Sequence, residues 1–200
     1  MTGLYGNITA AKIENKRISE KGYFMQTKHM RLQTLTLSAI ILALAVFRLL
    51  PHLPNVSPVA AMALFGGAYF ADRRTAFIVP FVALFLSDLR LGLHNSMIFV
   101  YAGFALTVAI GFALKGRVGI TNTAFAMIVS SLLFFALTNF GAWMTSGIYE
   151  KSATGLMQAF AAGIPFFQNS LLGNLVFAAV IFGGYHLLKN NVAAFKSPVH

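Results

Sequence analysis

The chain contains no cysteine. That removes disulfides, thiolate metal ligands and cysteine nucleophiles at once. Charge is scarce as well: 10% of the 200 residues are charged, where a soluble domain carries about 25%. Acidic residues are the scarcest, five against fifteen Lys and Arg, which leaves a net charge of +10. Phosphate-loop chemistry is missing too. Gly111 and Gly116 have the spacing of such a loop, but Arg117 and Val118 stand where Lys and Ser or Thr are required. Neither a Gly-x-Ser-x-Gly nor a His-Glu-x-x-His motif occurs. No ATPase, esterase or zincin is encoded.

What the chain does have is apolar surface: 58% hydrophobic residues, 20 of them Phe, and a mean hydropathy of +0.73. That supply matches six spans of about 20 residues each and leaves little for a separate soluble domain. Hydrophobic runs fall at 32–50, 58–70, 75–89, 97–114, 123–143 and 165–188. The second and third are short for a perpendicular crossing, and the small-residue stretch 152–163 reads as an interfacial or re-entrant helix. Residues 1–31 read as a basic, disordered cytoplasmic tail, in which Met25 and Met30 are alternative starts; 32–189 form the transmembrane domain, and 190–200 a short cytoplasmic tail. The expected fold is therefore an all-α polytopic membrane protein with six transmembrane helices and both termini cytoplasmic.

The loops orient it. With the N-terminus inside, twelve basic residues (Lys12, Lys16, Arg17, Lys21, Lys28, Arg31, Arg73, Arg74, Lys115, Arg117, Lys189 and Lys196) lie on the inner side, against Arg48, Arg90 and Lys151 outside. This is a strong positive-inside pattern. It accounts for the basic pI without a nucleic-acid partner.

Polar side chains gather at the opposite, outer pole. Arg48 ends span 1, with His52 and Asn55 behind it. Asp88 closes span 3, with His94 in the following loop, and Asn139 and Trp143 end span 5. Asn169 and Asn174 sit in the outer half of span 6. Charge near the bilayer centre costs roughly 2.5–3.5 kcal/mol, so Arg48 and Asp88 are expected to pair. The set points to an outward-facing pocket in which Trp143 stacks on a flat ring and the Asn carboxamides fix orientation. Ser57 is the expected N-cap of span 2, with Pro58 as its first helical residue. Pro80 is expected to kink span 3 and Pro165 to start span 6. Ala39 and Ala43 on span 1, and Ala61 to Ala68 on span 2, are small-residue faces suited to close helix packing.

The block Arg48-Leu-Leu-Pro51-His52-Leu-Pro54-Asn55-Val-Ser57-Pro58, continuing to Gly66-Gly67-Ala68, with Pro80 and Ser87-Asp88-Leu89 behind it, is similar to a family of small bacterial integral membrane proteins. Through them it resembles the substrate-binding (S) components of energy-coupling-factor vitamin transporters, nearest to the solitary cobalamin-type components. The likeness implies a non-enzymatic uptake protein of the bacterial cytoplasmic membrane, without a resident cofactor, that captures a vitamin-like solute such as a cobalamin on its outer side. It further implies a transmembrane coupling partner with two ATPases, docked on Ala39 and Ala43. In the absence of cysteine, His52 or His94 would have to ligate cobalt, or the solute is a different one. Two other readings stand beside this one. One is a membrane enzyme using a metal on His52, Asp88 and His94, or His94 as base to Ser57 or Ser96. The other is a structural subunit of a membrane complex.

Overall fold

The computed structural model of the chain describes residues 2–50, 55–93 and 95–192, with side chains from residue 14 onward. The described residues form helices and connecting turns, with no strand. There are six helices: α1 (Thr2–Phe47), α2 (Val59–Tyr69), α3 (Arg73–Leu91), α4 (Met97–Ala113), α5 (Ile120–Thr145) and α6 (Ala153–Asn191). Three of them contain stretches long and apolar enough to cross a membrane: Glu14–Phe47, Ile120–Thr145 and Ala153–Asn191. These mark the chain as a membrane protein. Helices α2 and α4 are apolar but short, and α3 begins on two arginines and carries Asp88 and Arg90.

Helix α2 is the centre of the molecule. Ten of its eleven residues are buried, and it packs against all five other helices. Eleven residues rise about 16 Å, well short of a hydrocarbon core of about 30 Å. Because protein rather than lipid surrounds this helix, its length need not match the bilayer. Its composition explains the position, since a helix apolar on every side has no solvent face to offer. Gly67 and Gly111 bring α2 and α4 almost into backbone contact; a Cβ on Gly111 would lie 2.5 Å from the Leu64 carbonyl oxygen and 2.8 Å from Gly67 Cα. Phe65 then stitches α2 to α6 through edge-on contacts with Phe182 and Tyr185, at 5.3 and 5.4 Å between centroids.

Pro80 lies inside α3. Having no N–H, it leaves the Ala76 carbonyl without its helical partner. Gly66 faces that point, as a Cβ there would stand 2.8 Å from the Pro80 ring and 3.4 Å from the Ala76 oxygen. The glycine is what lets α2 close over the proline.

Three expectations change. The basic segment expected to be a disordered tail is helical and continuous with the first span, although residues 14–26 are exposed throughout. Good helix formers such as Ala, Lys and Glu account for the helix, and Lys16 and Glu20 meet at 4.0 Å one turn apart. The stretch 152–163 is not a separate interfacial helix but the first turns of α6, with Pro165 inside that helix rather than at its start. Membrane helices tolerate an internal proline because neighbours resatisfy the freed backbone. The N-cap of α2 is Pro58, not Ser57; the Ser57 hydroxyl is buried without a partner among the described residues.

The two small-residue faces part company. Ala61, Ala63 and Ala68 of α2 are buried in the core. Ala39 and Ala43 of α1 are exposed, while Leu37, Ile41 and Ala45 on the opposite side of that helix pack inward.

Candidate functional site

Two ends of the helix assembly are distinguishable by what they hold. At one, the Lys115 ammonium donates to the Ala71 carbonyl at 3.2 Å, and the Phe112 ring carries Arg73 at 5.8 Å and Lys115 at 5.3 Å. The α2–α3 and α4–α5 turns therefore meet at one basic pole. At the other end the polar side chains expected from the sequence form two separate groups.

The first group joins α1, α3 and α4. Arg48, just past the end of α1, donates from Nη1 to Asp88 Oδ1 at 2.6 Å and to the Ser87 hydroxyl. Tyr101 Oη donates to the other Asp88 oxygen at 3.0 Å, and Ser87 Oγ donates in turn to the Leu84 carbonyl. The Asp88 side chain is 4% exposed and that of Arg48 18%. A carboxylate in the last turn of a helix faces the negative end of the helix dipole, so Asp88 is tolerable there only with a cation and donors against it. Both carboxylate oxygens are occupied by protein donors.

The second group surrounds a cavity of about 240 Å³ between α5 and α6. From α5 come Ser131, Phe134, Phe135, Thr138 and Asn139; from α6 come Gly163, Phe166, Phe167, Ser170 and Asn174, and Asn55 closes one end. On each helix these positions recur every three or four residues, one face of an α-helix. Asn174 is buried and donates to Ser131 Oγ at 3.1 Å. Asn139 donates from Nδ2 to Phe135 O at 2.8 Å, and its Oδ1 occupies the space that a Cβ on Gly163 would need. Asn55 adopts the left-handed backbone conformation, φ 62°, which asparagine tolerates better than most residues. Its carbonyl accepts from Ser170 Oγ at 3.0 Å, and this fastens the residues before α2 onto α6. Each carboxamide has two donors and an acceptor, so Asn139 and Asn174 keep hydrogen-bonding capacity beyond the single bond each makes.

The sequence-expected site thus divides. Asn55, Asn139 and Asn174 meet around the cavity, and Arg48 and Asp88 pair outside it. Trp143 does not line the cavity. Its indole N–H donates to the Glu150 carbonyl at 2.8 Å, its own carbonyl accepts from Lys151, and the Lys151 ammonium sits 5.4 Å over its ring. It fastens the α5–α6 turn. Asn169 is exposed on α6 beside the cavity-facing Ser170. His52 and His94 lie outside the described residues.

Sequence reasoning passed over Ser131, Thr138 and Ser170 as well as Tyr101, and took Ser87 only as part of the Ser87-Asp88-Leu89 pattern. The signal for two of them was available: a seven-residue spacing places Ser131 and Thr138 on the helix face that also carries Asn139.

A family model described as a family of unknown function (DUF6580) matches residues 28–196. The chain belongs to this family. The match begins within α1 and takes in every later helix. No curated protein matches the chain, and no solved structure does.

Proposed function

We propose that this member of the family is a solute-capturing membrane protein of the S-component type, whose binding site is the cavity between α5 and α6. In this reading the chain passes through the bacterial cytoplasmic membrane six times with both termini inside, the short α2 making its passage within the protein interior rather than against lipid. The basic pole then faces the cytoplasm, following the positive-inside bias, and the cavity opens outward. The single observation that carries the reading is the lining: carboxamides and hydroxyls over four phenylalanine rings, with no charged residue among them. Sites for small organic molecules have this make-up, apolar walls with a few placed polar groups.

The lining also narrows the solute. About 240 Å³ lies below the roughly 300–1,000 Å³ of drug-sized sites, so the cavity suits a neutral one- or two-ring vitamin-like compound better than a whole cobalamin. Phe134, Phe135, Phe166 and Phe167 offer ring faces and edges for a flat solute, and Asn139 and Asn174 offer donors and acceptors to its heteroatoms. The exposed Ala39 and Ala43 face is where an energy-coupling membrane subunit with its two ATPases would dock.

The test is to purify the protein in mild detergent from cells grown in rich medium and to identify bound small molecules by mass spectrometry. The expected result is one neutral ring compound at near-stoichiometric amount, absent from a Gly163→Phe variant that fills the cavity. A folded wild-type protein that carries no small molecule, or the same molecule retained by folded Gly163→Phe, would overturn the assignment.

A further inference from the structure

A second void, about 740 Å³, opens at the basic pole where the N-terminal end of α5 and the C-terminal end of α6 draw apart over Tyr69. Its walls are nearly all apolar: Leu175, Ala178, Phe182 and Gly183 come from α6, and Ile120 from α5. Polar groups stand at specific places around it. Thr123, a residue 7% exposed, lines it, and its buried hydroxyl has no hydrogen-bond partner among the described residues. Gly119 and Ile120 place the first turn of α5 at its edge, and that helix has no side-chain cap. The N–H groups of a first turn have no intrahelical acceptor, and they coincide with the positive end of the helix dipole.

Charge in the turns at this end is mostly basic. Arg117 is exposed two residues before Gly119, and Lys189 is exposed three residues after His186, itself a lining residue. Arg73 and Lys115 cluster on Phe112 at the same pole. The acid in these turns, Asp72, has its carboxylate engaged by the Thr75 N–H and hydroxyl at 2.8 and 2.9 Å.

We propose that the crevice holds an anionic phospholipid of the leaflet at the basic pole. One acyl chain lies between α5 and α6, and the phosphate rests on the free N–H groups of α5 beside Arg117 and Lys189. An apolar slot open to the side takes a hydrocarbon chain. The dipole and the basic rim select a negative headgroup, as helix N-termini do for phosphates generally. This site is separate from the solute cavity and does not depend on it.

The experiment uses delipidated full-length protein, with native mass spectrometry and thermal melting as readouts. Phosphatidylglycerol and phosphatidylcholine with identical acyl chains are the probes. Phosphatidylglycerol is expected to bind one per chain, about tenfold or more tighter than phosphatidylcholine, a difference of about 1.4 kcal/mol, and to raise the melting temperature selectively. Arg117→Gln, an exposed loop change, should erase most of that preference. Gly183→Leu should abolish binding of both lipids, since a Cβ at Gly183 meets nothing within 4 Å and the longer side chain enters the slot. Equal affinity of the wild type for the two lipids would overturn the proposal. So would an undiminished preference in Arg117→Gln.

Discussion

The two polar groups at the cavity end of the molecule are built from different residues and do opposite things. Around Asp88, charge is matched to charge: Arg48 and Tyr101 occupy both carboxylate oxygens, and Ser87 joins the arginine. Around the α5–α6 cavity every lining side chain is neutral, and Asn139 and Asn174 make one bond each. The first arrangement ties three helices together, with each carboxylate oxygen already accepting from the protein. The second leaves donors and acceptors facing a void. Polar residues inside a membrane domain therefore do not of themselves mark a binding site; what matters is whether their partners are already supplied by the protein.

The largest effect should come from opening the Arg48–Asp88 group. Arg48→Ala leaves Asp88 buried without its cation, and breaking a buried pair in this way costs about 3–5 kcal/mol. A steep fall in thermal stability is expected, read by melting in detergent. The double variant Arg48→Met with Asp88→Leu should recover most of the loss, because an apolar pair of similar size avoids the desolvation penalty. If the double variant is as unstable as the single one, the pair does more than hold helices together.

A smaller effect is expected at Asn174. Asn174→Leu removes the bond to Ser131 and leaves that hydroxyl buried, a loss of about 1–3 kcal/mol, together with the proposed solute binding. Smaller still in stability is Asn139→Ala, since Nδ2 bonds only the preceding turn of its own helix. There the comparison sharpens: solute affinity should fall about tenfold or more, corresponding to about 1.4 kcal/mol, while the melting temperature barely moves. Equal losses of stability and affinity would make the two groups alike.

The smallest effect lies outside the spans. Asp72 caps α3, and the hydrogen bonds from the Thr75 backbone and hydroxyl hold its carboxyl below the ordinary carboxylate range. A carboxyl depressed in the folded state adds stability above its unfolded value and loses it as pH falls through the folded one. Asp72→Asn should flatten a slight decline in melting temperature at acid pH, leaving the rest of the curve unchanged.

Much of this layout was legible in the sequence. The runs at 97–114 and 123–143 fall on α4 and α5 within three residues at either end, because long apolar stretches between basic turns leave few other choices. The fused α6 was not legible, since Pro165 reads as a boundary when lipid and neighbouring helices are out of view. Asn139 and Asn174 stood out because carboxamides are unusual in spans. Ser131 and Ser170 did not, because serine in a helix ordinarily bonds its own backbone. Nothing along the chain could tell that Arg48 and Asp88 would pair away from the carboxamides, since that depends on which helices become neighbours. The close approach of α2 to α4 likewise depends on Gly67 meeting Gly111, a contact between residues 44 positions apart.

The cysteine-free chain allows the central claim, that the neutral cavity opens to the outside, to be tested by single-cysteine labelling in intact cells. With a membrane-impermeant maleimide, Ser170→Cys should label from outside, and Lys189→Cys at the basic pole only after the membrane is opened. Labelling of Lys189→Cys in intact cells, with Ser170→Cys protected until lysis, would contradict the account.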